Sequence, residues 1–217
     1  MIVNRRDFST HMLGASVGAA SLALSRTVAA QGGPVEGAQY SRVEPSVPAA
    51  AGAKIEVLEF FSYACPHCSA FEPALDAWAR KLPADVAFRR VPVPFLMNAE
   101  TYQRTFYTLE TLGQVDAMQR KIFTAIHVDR MRLDKPEEIA ALMAKNGIDS
   151  AKFMNVFNSF SVATSVTRAK KLAGDYKVDG VPSLAVQGRY VTSPGQAGSS
   201  ERALAVVDFL VQKSRKG

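Results

Sequence analysis

Two periodicities alternate along the chain. Residues 54–61 (KIEVLEFF) set Ile55, Val57, Glu59 and Phe61 on one face by period two and end in a continuous apolar run, which predicts a central strand covered on both sides. After Cys65 the period lengthens. Phe71, Leu75, Trp78 and Leu82 recur at helical spacing with Pro73 among them, so a helix kinked at Pro73 is expected. Residues 86–93 alternate again until Pro92 and Pro94 interrupt them, and strand, helix and strand make a βαβ unit with parallel strands.

From residue 98 to about 173 the strand pattern disappears, and four or five helices are expected. Tyr102, Phe106 and Leu109 form one apolar stripe and Phe153, Phe157 and Phe160 another, both read as helix-packing core. Asp134, followed by Pro136, Glu137 and Glu138, predicts a capped helix start, and Gly147 a helix end. Residues 180–186 resume strand character, and Gln187-Gly188-Arg189 turns them into a hairpin with residues 190–192. Ser199 or Ser200 then caps a last helix, with Lys213, Arg215 and Lys216 at the end where they complement the dipole.

The N-terminus does not belong to this pattern. Asn4-Arg5-Arg6-Asp7-Phe8 is basic, residues 12–24 are mildly apolar and diluted by Gly14 and Gly18, and Val28-Ala29-Ala30 is a small-residue cleavage site, so residues 1–30 are expected to be a signal peptide. A permanent span needs about 20 strongly apolar residues, which this stretch lacks. Arg5-Arg6 before Phe8, with Arg26 near the cleavage site, resembles a twin-arginine export signal, while Ser9 and Thr10 depart from it; the general secretory route stays open beside it. Either route leads out of the cytoplasm. Residues 31–53, rich in Gly, Pro and Ala, are expected to be a leader with a short edge strand near residues 40–43. Cleavage would remove three arginines and one aspartate from a chain of formal net charge +6, leaving too modest and scattered a charge for a nucleic-acid partner.

Only two cysteines occur, both in Cys65-Pro66-His67-Cys68. A bridge over so small a loop removes little unfolded-chain entropy, so a purely stabilising role explains it poorly. Pro66 favours the first helical position, which places Cys65 at the N-cap, His67 at N2 and Cys68 at N3. There the Cys65 sulfur can accept from the backbone N–H groups of His67 and Cys68 at the positive end of the helix dipole, and His67 adds a charge or a donor. Cys65 is therefore the expected nucleophile, and Cys68, packed under Phe71, the resolving thiol. A stabilised thiolate belongs to the reduced form, which argues for an oxidant. Haem attachment would need a histidine where Ser69 stands, and zinc would need ligands that one further histidine in the processed chain, His127, cannot supply; no metal and no cofactor are expected. Glu59 shares its strand face with apolar residues, which favours a buried carboxyl of raised pKa over a half-exposed acid at a sheet edge.

The run from Val57 to Glu72 (VLEFFSYACPHCSAFE) and the segment Gly180-Val181-Pro182 resemble the DsbA family of periplasmic disulfide oxidases, with similarity over nearly the whole processed chain. The resemblance implies an α/β, thioredoxin-like fold with an inserted all-helical domain: residues 54–97 as its first part, 98–174 as the insertion and 175–217 as its second part. It implies that Cys65 attacks, Cys68 resolves, His67 tunes and Glu59 relays protons. Pro66, Val181 and a cis Pro182 would line the substrate site. The implied partners are reduced or unfolded exported proteins and a DsbB-type, quinone-linked membrane reoxidase, met in the periplasm by a monomer. Two rivals are a disulfide isomerase or reductase, for which residues 31–53 leave no room for a dimerisation domain, and a non-catalytic peptide-binding module. If the twin-arginine route is used, changing Arg5 and Arg6 together to Lys will leave uncleaved precursor in the cytoplasm, because a paired-arginine receptor reads geometry as well as charge. Normal processing of that variant, followed by immunoblotting of cell fractions, would assign the general route.

Overall fold

The computed structural model describes residues 32–216, and the signal segment expected in residues 1–30 lies outside the described residues. In chain order come β1 (Ser41–Arg42), β2 (Ile55–Phe61), α1 (Pro66–Ala79) and β3 (Val86–Pro92), then five helices, α2 (Ala99–Thr111), α3 (Val115–His127), α4 (Pro136–Lys145), α5 (Ser150–Phe157) and α6 (Phe160–Asp175). The chain then returns through β4 (Ser183–Val186), β5 (Tyr190–Thr192), α7 (Pro194–Ala197) and α8 (Ser200–Arg215). The strands form one mixed sheet in the order β1-β5-β4-β2-β3, in which β2 runs parallel to β3 and antiparallel to β4. This is the α/β architecture with a helical insertion that the resemblance implies.

Period two in β2 decides which helices cover which face. Ile55 and Val57 pack with Phe71 and Leu75 of α1 and Val207 and Leu210 of α8, whereas Leu58 and Phe60 pack with Ala169 and Ala173 of α6 and with Val43 and Val47 of the leader. All seven residues of β2 are buried. A third core closes the carboxyl end of the sheet, where Phe61, Tyr63 and both cysteines join Phe106, Phe123 and Phe153 of the insertion. Cys68 thus belongs to the aromatic core of the insertion, while Phe71, expected above it, faces the sheet on the α8 side.

Several local expectations change. Phe160 is 87% exposed, because Ser159 accepts from the Val162 N–H and starts a new helix, so the stripe begun by Phe153 and Phe157 stops at the break. Asp134 is not the N-cap of α4. Pro136 occupies the first helical position and puts Lys135 at the cap, while Glu138 reaches back to accept from the N–H groups of Asp134 and Lys135. Leu82 lies beyond the end of α1 yet still packs on the α1/α8 core, and α1 continues unbroken through Pro73. Of the basic residues ending α8, Lys213 donates to the Tyr40 hydroxyl at 3.0 Å and Arg215 pairs with Asp85 at 2.8 Å, so both hold tertiary partners as well as the helix end. Helix α7 went unpredicted.

The β4–β5 hairpin fixes the leader against the sheet. Gln187 and Gly188 both have positive φ, 51° and 69°, the primed turn that suits strand twist, and the Gly188 carbonyl accepts from the Val47 N–H at 2.9 Å. A Cβ on Gly188 would overlap the Val47 carbonyl oxygen, whereas one on Gly52, also at positive φ, meets nothing within 4 Å. Gly188→Ala is therefore expected to lower the urea midpoint well beyond Gly52→Ala, whose cost is the conformational one of about 1–3 kcal/mol. Equal losses would show that the leader is not held there.

Candidate active site

The α1 N-terminus is the sharpest local feature of the site. Cys65 has extended backbone (φ −89°, ψ 114°), Pro66 takes the first helical position, and the Cys65 sulfur accepts from the Cys68 N–H at 3.3 Å. Both cysteines are free thiols; Cys65 retains 5% exposure and Cys68 none. The Cys65 pKa falls from 9.0 to about 6. The Cys68 thiol bonded to it contributes most, then the backbone N–H groups of Cys68 and His67 and the charge of His67, all against the cost of burial. Cys68 goes the other way: burial first, then the bond to Cys65 and the charge of Glu59, push its thiol far up. The two sulfurs are thus separated into one with a small opening to solvent that favours the thiolate and a protonated, enclosed thiol.

Opposite the helix, β4 brings in the segment before it. The Val181–Pro182 peptide bond is cis, and the Cys65 sulfur lies 3.4 Å from the Val181 carbonyl oxygen, to which it can donate only while it is a thiol. His67, Val181, Pro182, Pro194 and Gly195 border an open groove of about 430 Å³, which Val181 joins to the Cys65 sulfur.

Below the sulfurs lies a charged triad. Glu59 is fully buried, and the parallel register of β2 and β3 sets it beside Arg90, whose Nε lies 3.1 Å from Glu59 Oε2. The same guanidinium reaches Glu72 of α1, with Nη2 2.8 Å from Oε1. Glu59 is therefore buried as expected but paired. One cation cannot compensate two buried carboxylates, and burial raises Glu59 to about 8 and Glu72 to about 7 despite Arg90. The coupled pair holds a proton at neutral pH and sits in the field of both cysteines.

A family model described as a DSBA-like thioredoxin domain matches residues 93–200. A thiol:disulfide interchange protein DsbA of Bordetella parapertussis is 44% identical over 208 residues, covering 95% of this chain and 97% of that one. The DsbA of Pseudomonas aeruginosa is 41% identical over 179 residues, 82% of this chain and 85% of the relative. A crystal structure of Pseudomonas aeruginosa DsbA superposes with a TM-score of 0.82 at 40% identity, covering 84% of this chain and 95% of that one. The chain belongs to the DsbA family. It is a thiol:disulfide oxidoreductase with a DSBA-like thioredoxin fold.

As a DsbA-family site, the structure brings the expected residues together. Cys65, Pro66, His67 and Cys68 open α1, Val181 touches the Cys65 sulfur, Pro182 borders the groove, and Glu59 lies under the pair. His127, counted above only as too few ligands for zinc, places Nε2 2.8 Å from the Tyr63 carbonyl oxygen. Sequence reasoning missed Arg90 and Glu72 as parts of the site. The available signal for Arg90 was a second charge, beside Arg89, in a strand whose neighbours are apolar.

The Cys65 shift predicts a pH-dependent difference between redox forms. A lowered folded pKa means fewer protons bound folded than unfolded, so stability rises with pH; the contribution is complete above the unfolded value of 9.0 and lost as pH falls through about 6. The raised Cys68 thiol opposes it only above its own ordinary value of 9.0. Reduced protein should gain denaturant resistance relative to oxidised protein as pH rises between those limits, with Glu59 and Glu72 present in both forms. Urea melts of both forms across that range check this, and a pH-independent gap would remove the thiolate argument.

Proposed function

We propose that the chain is a periplasmic oxidant that donates its Cys65–Cys68 disulfide to reduced or unfolded exported proteins and is recharged by a DsbB-type, quinone-linked membrane oxidase. The signal expected in residues 1–30 supports export, and among the described residues no helix is long and apolar enough to cross a membrane. The observation that carries the direction is the cap at the Cys65 sulfur, which stabilises a species, the thiolate, that exists only in the reduced protein.

In the forward reaction a substrate thiolate attacks Cys65 Sγ and breaks the Cys65–Cys68 bond, and the electron pair leaves on Cys68. Cys68 lies where its anion is poorly tolerated, and Glu59 supplies the proton it takes up. A second substrate thiolate then attacks the substrate sulfur of the mixed disulfide, forming the substrate disulfide and expelling Cys65 as the stabilised thiolate, a good leaving group. Two electrons pass from substrate to enzyme. Pro66, Val181 and Pro182 hold the extended substrate beside the sulfur, His67 tunes the thiolate, and the open groove receives the flanking residues.

Cys65→Ser is expected to abolish oxidation of a reduced, unfolded model protein while preserving peptide binding. Cys68→Ser, given a substrate that already holds a disulfide for the Cys65 thiolate to attack, should accumulate the mixed disulfide on Cys65, visible on non-reducing gels, because no second thiol is left to release it. Oxidase activity surviving in Cys65→Ser would discard the mechanism, and a wild-type protein that only reduces or reshuffles disulfides would favour the isomerase or reductase.

A further inference from the structure

Tyr63, two residues before Cys65, is gripped at both of its polar ends by α3. Its hydroxyl donates to Gln119 Oε1 at 2.7 Å and its carbonyl oxygen meets His127 Nε2 at 2.8 Å. Gln119 is 2% exposed, and the other end of its carboxamide, Nε2, is buried without an aligned hydrogen-bond partner. Glu72 Oε2 is buried and likewise without an aligned partner, and the Gln119 carboxamide lies close enough to the Glu72 carboxyl to favour its ionised form as a donor. An orphaned donor and an orphaned acceptor are neighbours here, and neither can be left so without cost.

The orientation of the carboxamide follows from its surroundings. With the amide reversed, Gln119 would turn its oxygen toward a carboxylate, so an ionised Glu72 selects the arrangement in which Oε1 accepts from Tyr63 and Nε2 faces Glu72. Burial keeps the Tyr63 hydroxyl protonated and able to donate. The Glu72 carboxyl is faced by Arg90 from β3, by Asp76 from its own helix, and by Arg120 and Gln119 from α3; Glu59 is faced by Arg90, Glu72 and Cys65, and acts in turn on Cys68. Two carboxylates competing for one guanidinium share their proton according to the remaining contacts of each. Every donor given to Glu72 moves the proton toward Glu59.

We propose that Gln119 is a positioning residue of the redox reaction: from the helical insertion it holds Glu72 as the ionised arm of the Glu72–Arg90–Glu59 triad, so that the exchangeable proton resides on Glu59, beside Cys68. The proposal rests on the reading of Glu59 as the proton donor to Cys68. It gives the insertion a part in the chemistry beyond enclosing the sulfurs, because Tyr63 ties the same carboxamide to the segment that presents Cys65.

The experiment follows the rate at which dithiothreitol reduces the oxidised full chain, from about pH 5 to about pH 10, corrected for ionisation of the reductant. Wild type, Gln119→Met, Tyr63→Phe and Glu59→Gln are compared, with circular dichroism melts for each. Wild type should show an inflection near 8 that Glu59→Gln removes. In Gln119→Met, which keeps length but has no donor, the inflection should move down by about one pH unit, a tenfold change in the proton affinity of Glu59. Tyr63→Phe, which only unpins the carboxamide, should move it the same way by less, and decides alone if Gln119→Met does not fold. An unmoved inflection in the folded variants, even with lowered melting temperatures, makes Gln119 merely structural and overturns the proposal. An inflection that persists in Glu59→Gln overturns the underlying reading of Glu59 instead, and the proposal with it.

Discussion

Arg90 brings a single positive charge to two carboxylates that water does not reach. Removing one partner from a buried ionic cluster costs about 3–5 kcal/mol, because the charge left behind has neither solvent nor counterion. The triad answers this excess of negative charge by keeping a proton, and so Glu59 and Glu72 both rise into the neutral range. Burial first, then the bond to Cys65 and the charge of Glu59, push the enclosed Cys68 thiol up, while Cys65, one turn earlier and on the helix cap, is pulled down by the Cys68 thiol and the first-turn N–H groups. The difference between the sulfurs therefore has two sources, and only one of them lies in the Cys-Pro-His-Cys segment.

The fold supplies these neighbours from five stretches. Parallel pairing of β2 with β3 matches Glu59 to Arg90, and the crossover between those strands must be a helix, α1, whose first turn then lies at the carboxyl end of β2. Glu72 is on the face of α1 that looks back at the sheet, within reach of the same guanidinium. Antiparallel β4 arrives on the other side of β2 and delivers the Val181 carbonyl to the Cys65 sulfur. The insertion between β3 and β4 closes the remaining side with Phe106, Phe123 and Phe153.

What could be read from the sequence was what is local. Cys65 to Cys68 are consecutive, and Pro66 alone places them on a helix start; Glu59 betrayed its burial through the alternation of its own strand. Arg90 and Gln119 could not be assigned this way. The second charge beside Arg89 marks Arg90 as unusual in its strand, but its partners depend on the register of β3 against β2, and those of Gln119 on the docking of α3. Glu72, one turn beyond Cys68, looks like any surface acid of a helix until its partner is known. Phe160 failed for a different reason. Its spacing from Phe157 is helical, but Asn158-Ser159 ends one helix and caps the next, and a serine followed by an apolar residue competes with periodicity as a signal. Helix α7 is a single turn behind Ser193 and Pro194, too short for periodicity to register.

The two sources of sulfur asymmetry also operate over different pH ranges. A thiol lowered from 9.0 to about 6 expresses its full preference for the thiolate only above 9.0, and at pH 7 it is one unit past its own pKa, so roughly tenfold of that preference is in force. The raised Cys68 thiol, by contrast, stays protonated throughout, provided a proton is at hand when the disulfide opens. A carboxyl that titrates near 8 is mostly protonated at pH 7 and can give that proton without waiting for solvent. On the proposed mechanism, the helix cap sets how strongly the disulfide is surrendered, and the triad sets how readily. The first weakens as the medium turns acid and the second as it turns alkaline, so the proposed mechanism places efficient transfer in the interval between the Cys65 and Glu59 pKa values, around neutrality.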